Sequence, residues 1–324
     1  NATALGSSSA PYDLSTEGGS VSRSTANSYV ISAPGHYRIP LVYGNAIENG
    51  ATNSNAYISH AAAGNLMVLY NFQDHAGHAI DDPWIEKTHG GANSGVDGAE
   101  VVWADAANLV YLSSTPISHD ASGNAFLDFE VKQSDIQSGN AVVAVKKNGI
   151  TVWSWHLWFA PKDALDKIPV TNHQGVVYNF TKETLGWKPT QWNSSTYSSA
   201  RTVKVKVEQT VANNGTKQDA VINITQNPGN VKTGAATLYQ FGRKDAFPGV
   251  ATADIKQGSI TENAGNNMSI MNGIQNPGSF YTWGSNWNTN YRYYNLWSAD
   301  NTTTGYNDNS VVKTVYDPCP VGFK

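Results

Sequence analysis

Between Arg201 and Glu208 polar and apolar side chains alternate without a break: Thr202, Lys204, Lys206 and Glu208 are polar, while Val203, Val205 and Val207 are apolar. A period of two places alternate side chains on opposite faces of a strand and fits no helix. Ala220 to Gln226 repeats the pattern after a loop containing Asn213, Asn214 and Gly215. The pair reads as an antiparallel hairpin with Val203, Val205 and Val207 on a buried face and Lys204 and Lys206 toward solvent. A slip of one residue would put every valine in water. No helix of ordinary length is legible anywhere; a short one at 61–72 is the single candidate.

Other β-rich runs lie at 29–31 and 37–43, separated by Pro34 and Gly35, which signal a turn. More follow at 100–103, 109–112, 126–131, 141–147 and 150–159. Asn148 and Gly149 separate the last two and form the preferred centre of a tight hairpin turn. Short strands punctuated in this way predict an all-β protein built on an antiparallel β-sandwich. The expected organisation is a linker or arm at 1–19, a sandwich at about 20–165, a hairpin-rich unit at about 166–231, and an irregular, aromatic-rich domain at about 232–324.

Composition supports strands and turns. Charged residues are 14% of the chain, well under the usual ~25%, and their place is taken by Asn, Gly, Ser and Thr, which favour non-helical backbone. A hydrophobic share of 40% with 11% aromatics is enough for a sizeable core and argues against disorder. The net charge of −4, with no basic block, leaves no nucleic-acid footprint. No run approaches the ~20 apolar residues of a membrane span. With one cysteine, Cys319, the chain holds neither an internal disulfide nor a cysteine zinc site. The Asn-x-Ser/Thr triplets follow from the abundance of these residues.

Several boxes, in order along the chain, carry a family resemblance. Thr25 to Gly35 reads TANSYVISAPG and is similar to TANCYVVSAPG, with Ser28 where the pattern often has Cys. Pro40 to Ile47 reads PLVYGNAI, Trp153 to Trp158 reads WSWHLW, Tyr239 to Pro248 reads YQFGRKDAFP, and Tyr316 to Lys324 reads YDPCPVGFK. Together they resemble the fimbrillin-family and Fibrobacter-paralogous-domain surface proteins of the Bacteroidetes, over about residues 12–324. The resemblance implies an extracellular, outer-membrane-surface protein, an adhesin or fimbrial component without enzymatic activity, whose C-terminal part is irregular and C-type-lectin-like. In that family the Pro-Cys-Pro motif sits inside a domain. The expectation is therefore that the segment from about 232 completes its fold against something outside this continuous chain, a separately cleaved fragment or another subunit.

Three groups of residues are candidates for chemistry. Tyr281, Trp283, Trp287, Tyr291, Tyr294 and Trp297 could stack on the sugar rings of host or dietary glycans, or else fill the core of a loop-rich domain. Asp74, His75, His78, Asp81 and Asp82, with His89 nearby, form the densest set of potential metal ligands, calcium suiting the three aspartates; a solvated loop is the competing reading. His156 lies on a strand bulky on both faces and reads as a satisfied core histidine. No Gly-x-Ser-x-Gly elbow, phosphate loop or His-Glu-x-x-His helix is present. A carbohydrate-binding or carbohydrate-degrading surface protein is the alternative function, since the two carboxylates of a glycosidase need not be neighbours.

Overall fold

A computed structural model describes residues 2–61, 64, 66–189, 200–212, 214–226, 234–265, 268–281, 293–303, 305 and 307–324. In chain order the strands are β1 (Tyr12–Asp13), β2 (Ser28–Ile31), β3 (Gly35–Pro40), β4 (Ile47–Glu48), β5 (Ala51–Thr52), β6 (Gly98–Ala104), β7 (Tyr111–His119), β8 (Ala125–Val131), β9 (Gly139–Lys147) and β10 (Ile150–Phe159). They continue with β11 (Lys167–Thr171), β12 (Val177–Thr181), β13 (Arg201–Glu208), β14 (Asp219–Gln226), β15 (Leu238–Tyr239), β16 (Ala246–Phe247) and β17 (Gln257–Gly258). The expected helix at 61–72 does not form among its described residues. Among the described residues helical structure is confined to single turns and the short helix Ile270–Gln275, capped by Ser269, whose hydroxyl accepts from Asn272 N.

Two sheets form the body of the protein, ordered β1-β3-β8-β7 and β17-β6-β9-β10-β2. Their facing residues share one core: Tyr37, Ile39, Leu127 and Phe129 from the first, Val143, Val145, Trp153 and Trp155 from the second. Asn148 and Gly149 both take positive φ, as a two-residue turn of this hand requires, and join β9 to β10 in register. Most pairs are antiparallel, but β1 joins β3 and β2 joins β10 in parallel, so the sandwich is not purely antiparallel. The turn at Pro34 and Gly35 carries the chain from one sheet to the other instead of closing a hairpin. Residues 2–14 are an ordered arm: Leu5 bridges to Gly35, where a Cβ would lie 1.9 Å from Leu5 O.

β10 is buried on both faces. Trp153 and Trp155 enter the core between the sheets, while Trp158 packs on the far side with Ala160, Ala164, Leu185 and Trp187. That far side is also covered by the segment carrying β15 and β16, where Ala246 and Tyr239 join Trp103 and Val142. The expected boundaries near 165 and 232 are therefore displaced. The compact units are Asn1–Trp187 together with Ala236–Lys324, and Lys188–Ala235 by itself. The C-terminal aromatic segment is not a separate domain: Met268, Ile274, Tyr281, Leu296, Val315 and Tyr316 belong to the sandwich core. Core continuity decides this, and a change of composition along the chain cannot reveal it.

The unit Lys188–Ala235 is built on the hairpin β13-β14, paired from Arg201↔Gln226 to Glu208↔Asp219. Pairing and register are those read from the alternation. Burial is not: Val203, Val205 and Val207 are 62%, 40% and 53% exposed. Two strands alone offer nothing to cover one face, so alternation here selects a face without burying it.

Candidate functional site

The boxes that carry the family resemblance converge on one buried polar clasp. Asn27, the residue before β2, accepts from Trp153 Nε1 at 3.1 Å and donates through Nδ2 to Val315 O and Asp317 O at 2.7 and 2.8 Å. Asn45 Nδ2 donates to Thr314 O at 2.7 Å, and Ser28 Oγ donates to Pro318 O at 2.6 Å. The backbone of 314–318 makes no sheet ladder, so these side chains meet its carbonyls in place of a neighbouring strand. Trp153 stacks on Tyr316 at 6.3 Å between centroids.

His156 adjoins this clasp at Ser28 and bonds Asn140, which in turn bonds Asp105, a chain that invites comparison with a nucleophile-base pair. The proton directions argue otherwise. Asn140 Nδ2 donates to Asp105 Oδ2 and Gly186 O, so its Oδ1 is an acceptor and His156 Nε2, 2.9 Å away, carries the proton. His156 Nδ1 then accepts from Tyr239 OH at 2.9 Å, while the Ser28 hydroxyl proton points at a carbonyl. Burial pushes the His156 proton affinity down to about 3, so the ring is neutral. This is a satisfied core histidine, as its strand position suggested. Burial also raises the Cys319 thiol to about 12, with the Asp317 carboxylate adding to the effect, so at neutral pH it is held as the thiol.

The His/Asp loop is ordered by its own carboxylates. Asp74 is fully buried and accepts from Ala76 N and His78 N, both at 2.9 Å, and from Asn93 Nδ2. Asp81 accepts from Thr88 Oγ1 and His89 N at 2.8 Å, and Asp82 from Trp84 N. His75 is buried, which lowers its proton affinity, and His78 stands edge to face with His89 at 5.0 Å. Among the described residues no group of three or more His, Cys, Asp or Glu side chains is placed to hold one metal ion, and Asp74, Asp81 and Asp82 each accept from nearby N–H or hydroxyl groups.

The aromatic candidates separate as well. Tyr281 is buried in the sandwich core and is not a platform for ligand. Trp297 is half-buried, donates from Nε1 to Arg243 O at 3.2 Å, and meets the exposed ring of Phe241 edge to face at 5.2 Å. Tyr294 is half-buried. Trp283, Trp287 and Tyr291 lie outside the described residues.

Exposed apolar surface is concentrated on two hairpins. On β13-β14, Val203 faces Ile224, Val205 faces Ile222 and Val207 faces Ala220, which makes one aliphatic face. The opposite face holds Lys206 between Glu208 and Asp219 at 3.0 and 3.4 Å, and a Thr202–Thr225 hydroxyl pair. On β11-β12, Ile168 faces Phe180 and Val170 faces Tyr178, all four exposed. Sequence reasoning found the first face and assigned it to the core; it passed over the second, where the pairing of residues 168–170 with 178–180 was the available signal. Compared with protein-family models, with curated proteins and with solved structures, the chain finds no match.

Proposed function

We propose that this is a non-enzymatic surface protein of the fimbrillin-like kind, working outside the cell as an adhesin or filament component, and that it assembles by stacking the β13-β14 faces of two copies. The observation that carries this is the aliphatic face Val203, Val205, Val207, Ile222 and Ile224, paired in register and exposed. Such a face is self-complementary, and two of them pack as the halves of a small sandwich. A patch on the order of 400 Å² on each copy has the size at which exposed apolar surface marks an interaction site. Doubling it gives roughly 800 Å², below the ~1,000 Å² of a standing specific interface, so the contact is weak and concentration-dependent.

Sedimentation velocity across micromolar to millimolar protein tests this. The wild type should pass from monomer to dimer, and Val205→Asp should remain monomeric with an unchanged melting transition for the Trp-rich body. A wild type that stays monomeric throughout refutes assembly by this face. The exposed Phe241 ring beside Trp297 favours a second reading, glycan binding, which a glycan array with hydrolysis assays would separate from the first.

A further inference from the structure

The hairpin β11-β12 has two edges of opposite character. Asn172 N donates to Val176 O and Lys182 N to Asp166 O, both at 2.9 Å, which sets the alternation of the ladder between them. In the register Ile168↔Phe180 and Val170↔Tyr178, these pairs exchange the hairpin's own hydrogen bonds. Lys167, Pro169 and Thr171 on β11, and Val177, Asn179 and Thr181 on β12, therefore turn their backbone polar groups outward. Pro169 agrees with this assignment, since it stands where a missing N–H costs the hairpin nothing.

The outer side of β11 is guarded. Pro169 interrupts its row of donors, and Lys167 holds its ammonium 5.8 Å from the centre of the Phe323 ring. The outer side of β12 has no such guard. Val177 to Thr181 contains neither proline nor charge, and among the described residues no strand pairs with that side. Lys182, the next residue, is bound to Asp163. Tyr178 and Phe180 are exposed beside Ile168 and Val170, so a strand added along β12 would extend an apolar face while it completes a ladder. A charged strand would find no counter-charge on this edge. A second β12 strand meets an obstacle of its own. Antiparallel pairing about Asn179 would set residues 173–175 of one copy beside 183–185 of the other, where Leu185 is packed with Trp158. A short free segment carries no such turn.

We infer that the outer edge of β12 captures an extended, uncharged peptide segment of another protein by strand addition, with an apolar residue at every second position of that segment. Its residues opposite Val177, Asn179 and Thr181 exchange backbone hydrogen bonds, and those opposite Tyr178 and Phe180 join the apolar face. Titration of isotope-labelled protein with a capped heptapeptide alternating threonine and valine should shift the amide signals of Val177, Asn179 and Thr181 and slow their exchange with solvent. Asn179→Pro removes an outward donor and no hairpin bond, as Pro169 already does on the facing strand. It should keep the melting temperature and bind the peptide about tenfold more weakly. Methylating the backbone nitrogens of the peptide's threonines, which face β12 when the valines lie on Tyr178 and Phe180, should abolish binding; methylating those of its valines should leave it. If the proline variant does not fold, this pair of peptides decides. No shift with the unmodified peptide, or equal loss with both methylated forms, overturns the inference. A Val205→Asp protein that sediments as a dimer, and as a monomer once Asn179→Pro is added, would make the occupant a second copy and overturn it too.

Discussion

His156 is neutral in the folded protein, its proton affinity pushed to about 3 by burial between Tyr239, Asn140 and Ser28, whereas in the unfolded chain it titrates near 6.5. Below pH 6.5 the unfolded chain therefore takes up a proton that the native state refuses. The group's contribution to stability is complete above 6.5 and is lost as pH falls from there toward about 3. At pH 5 the unfolded imidazole is about 1.5 pH units below its midpoint, which costs the folded state about 2 kcal/mol relative to neutral pH. That figure depends only on the native value lying well below 5. Urea unfolding at pH 7.5 and pH 5.0, on the wild type and on His156→Gln, isolates it. Glutamine keeps an amide donor for Asn140 Oδ1 and does not titrate. The variant should be weaker at pH 7.5, and the gap should shrink by about 2 kcal/mol at pH 5.0 with m unchanged. His75, whose buried ring acts in the same direction, remains in both proteins and cancels. A gap independent of pH would falsify the account of His156 as a buried neutral base.

Two further outcomes follow from the clasp and the loop. Ser28 Oγ bonds Pro318 O at 2.6 Å, one residue before the half-buried Cys319, so Ser28→Cys should form a disulfide on mild oxidation and raise the melting temperature; two free thiols after oxidation would show that the spacing is wrong. Because Asp74, Asp81 and Asp82 already accept from loop N–H and hydroxyl groups, EDTA should leave the thermal transition in place, and a downward shift reversed by calcium would refute that.

Much of the fold was legible because strand chemistry is local. Alternation marked β13 and β14, Asn148 and Gly149 marked the β9-β10 turn, and the double-faced bulk of Trp153, Trp155, His156 and Trp158 marked a central strand. The candidate site was far less legible. Tyr281 and Trp297 look alike in sequence, yet one is core and the other shares a partly exposed ring pair. The aspartates at 74, 81 and 82 have ligand chemistry, but each is committed to a separate turn.

The sequence by itself determined the all-β character and the β9-β10 and β13-β14 hairpins, since these depend on side-chain period and turn residues within a few positions of each other. Only the tertiary structure decided what the periodicity faces. It sends the valines of β13 to the surface, draws residues 236–324 into the sandwich core, and turns Asn27, Ser28 and Asn45 into partners for carbonyls some 270 to 290 residues away. The physical reason is that burial and hydrogen-bond satisfaction belong to the whole packed chain: a side chain's polarity states what it needs, and only its neighbours in space decide whether the need is met.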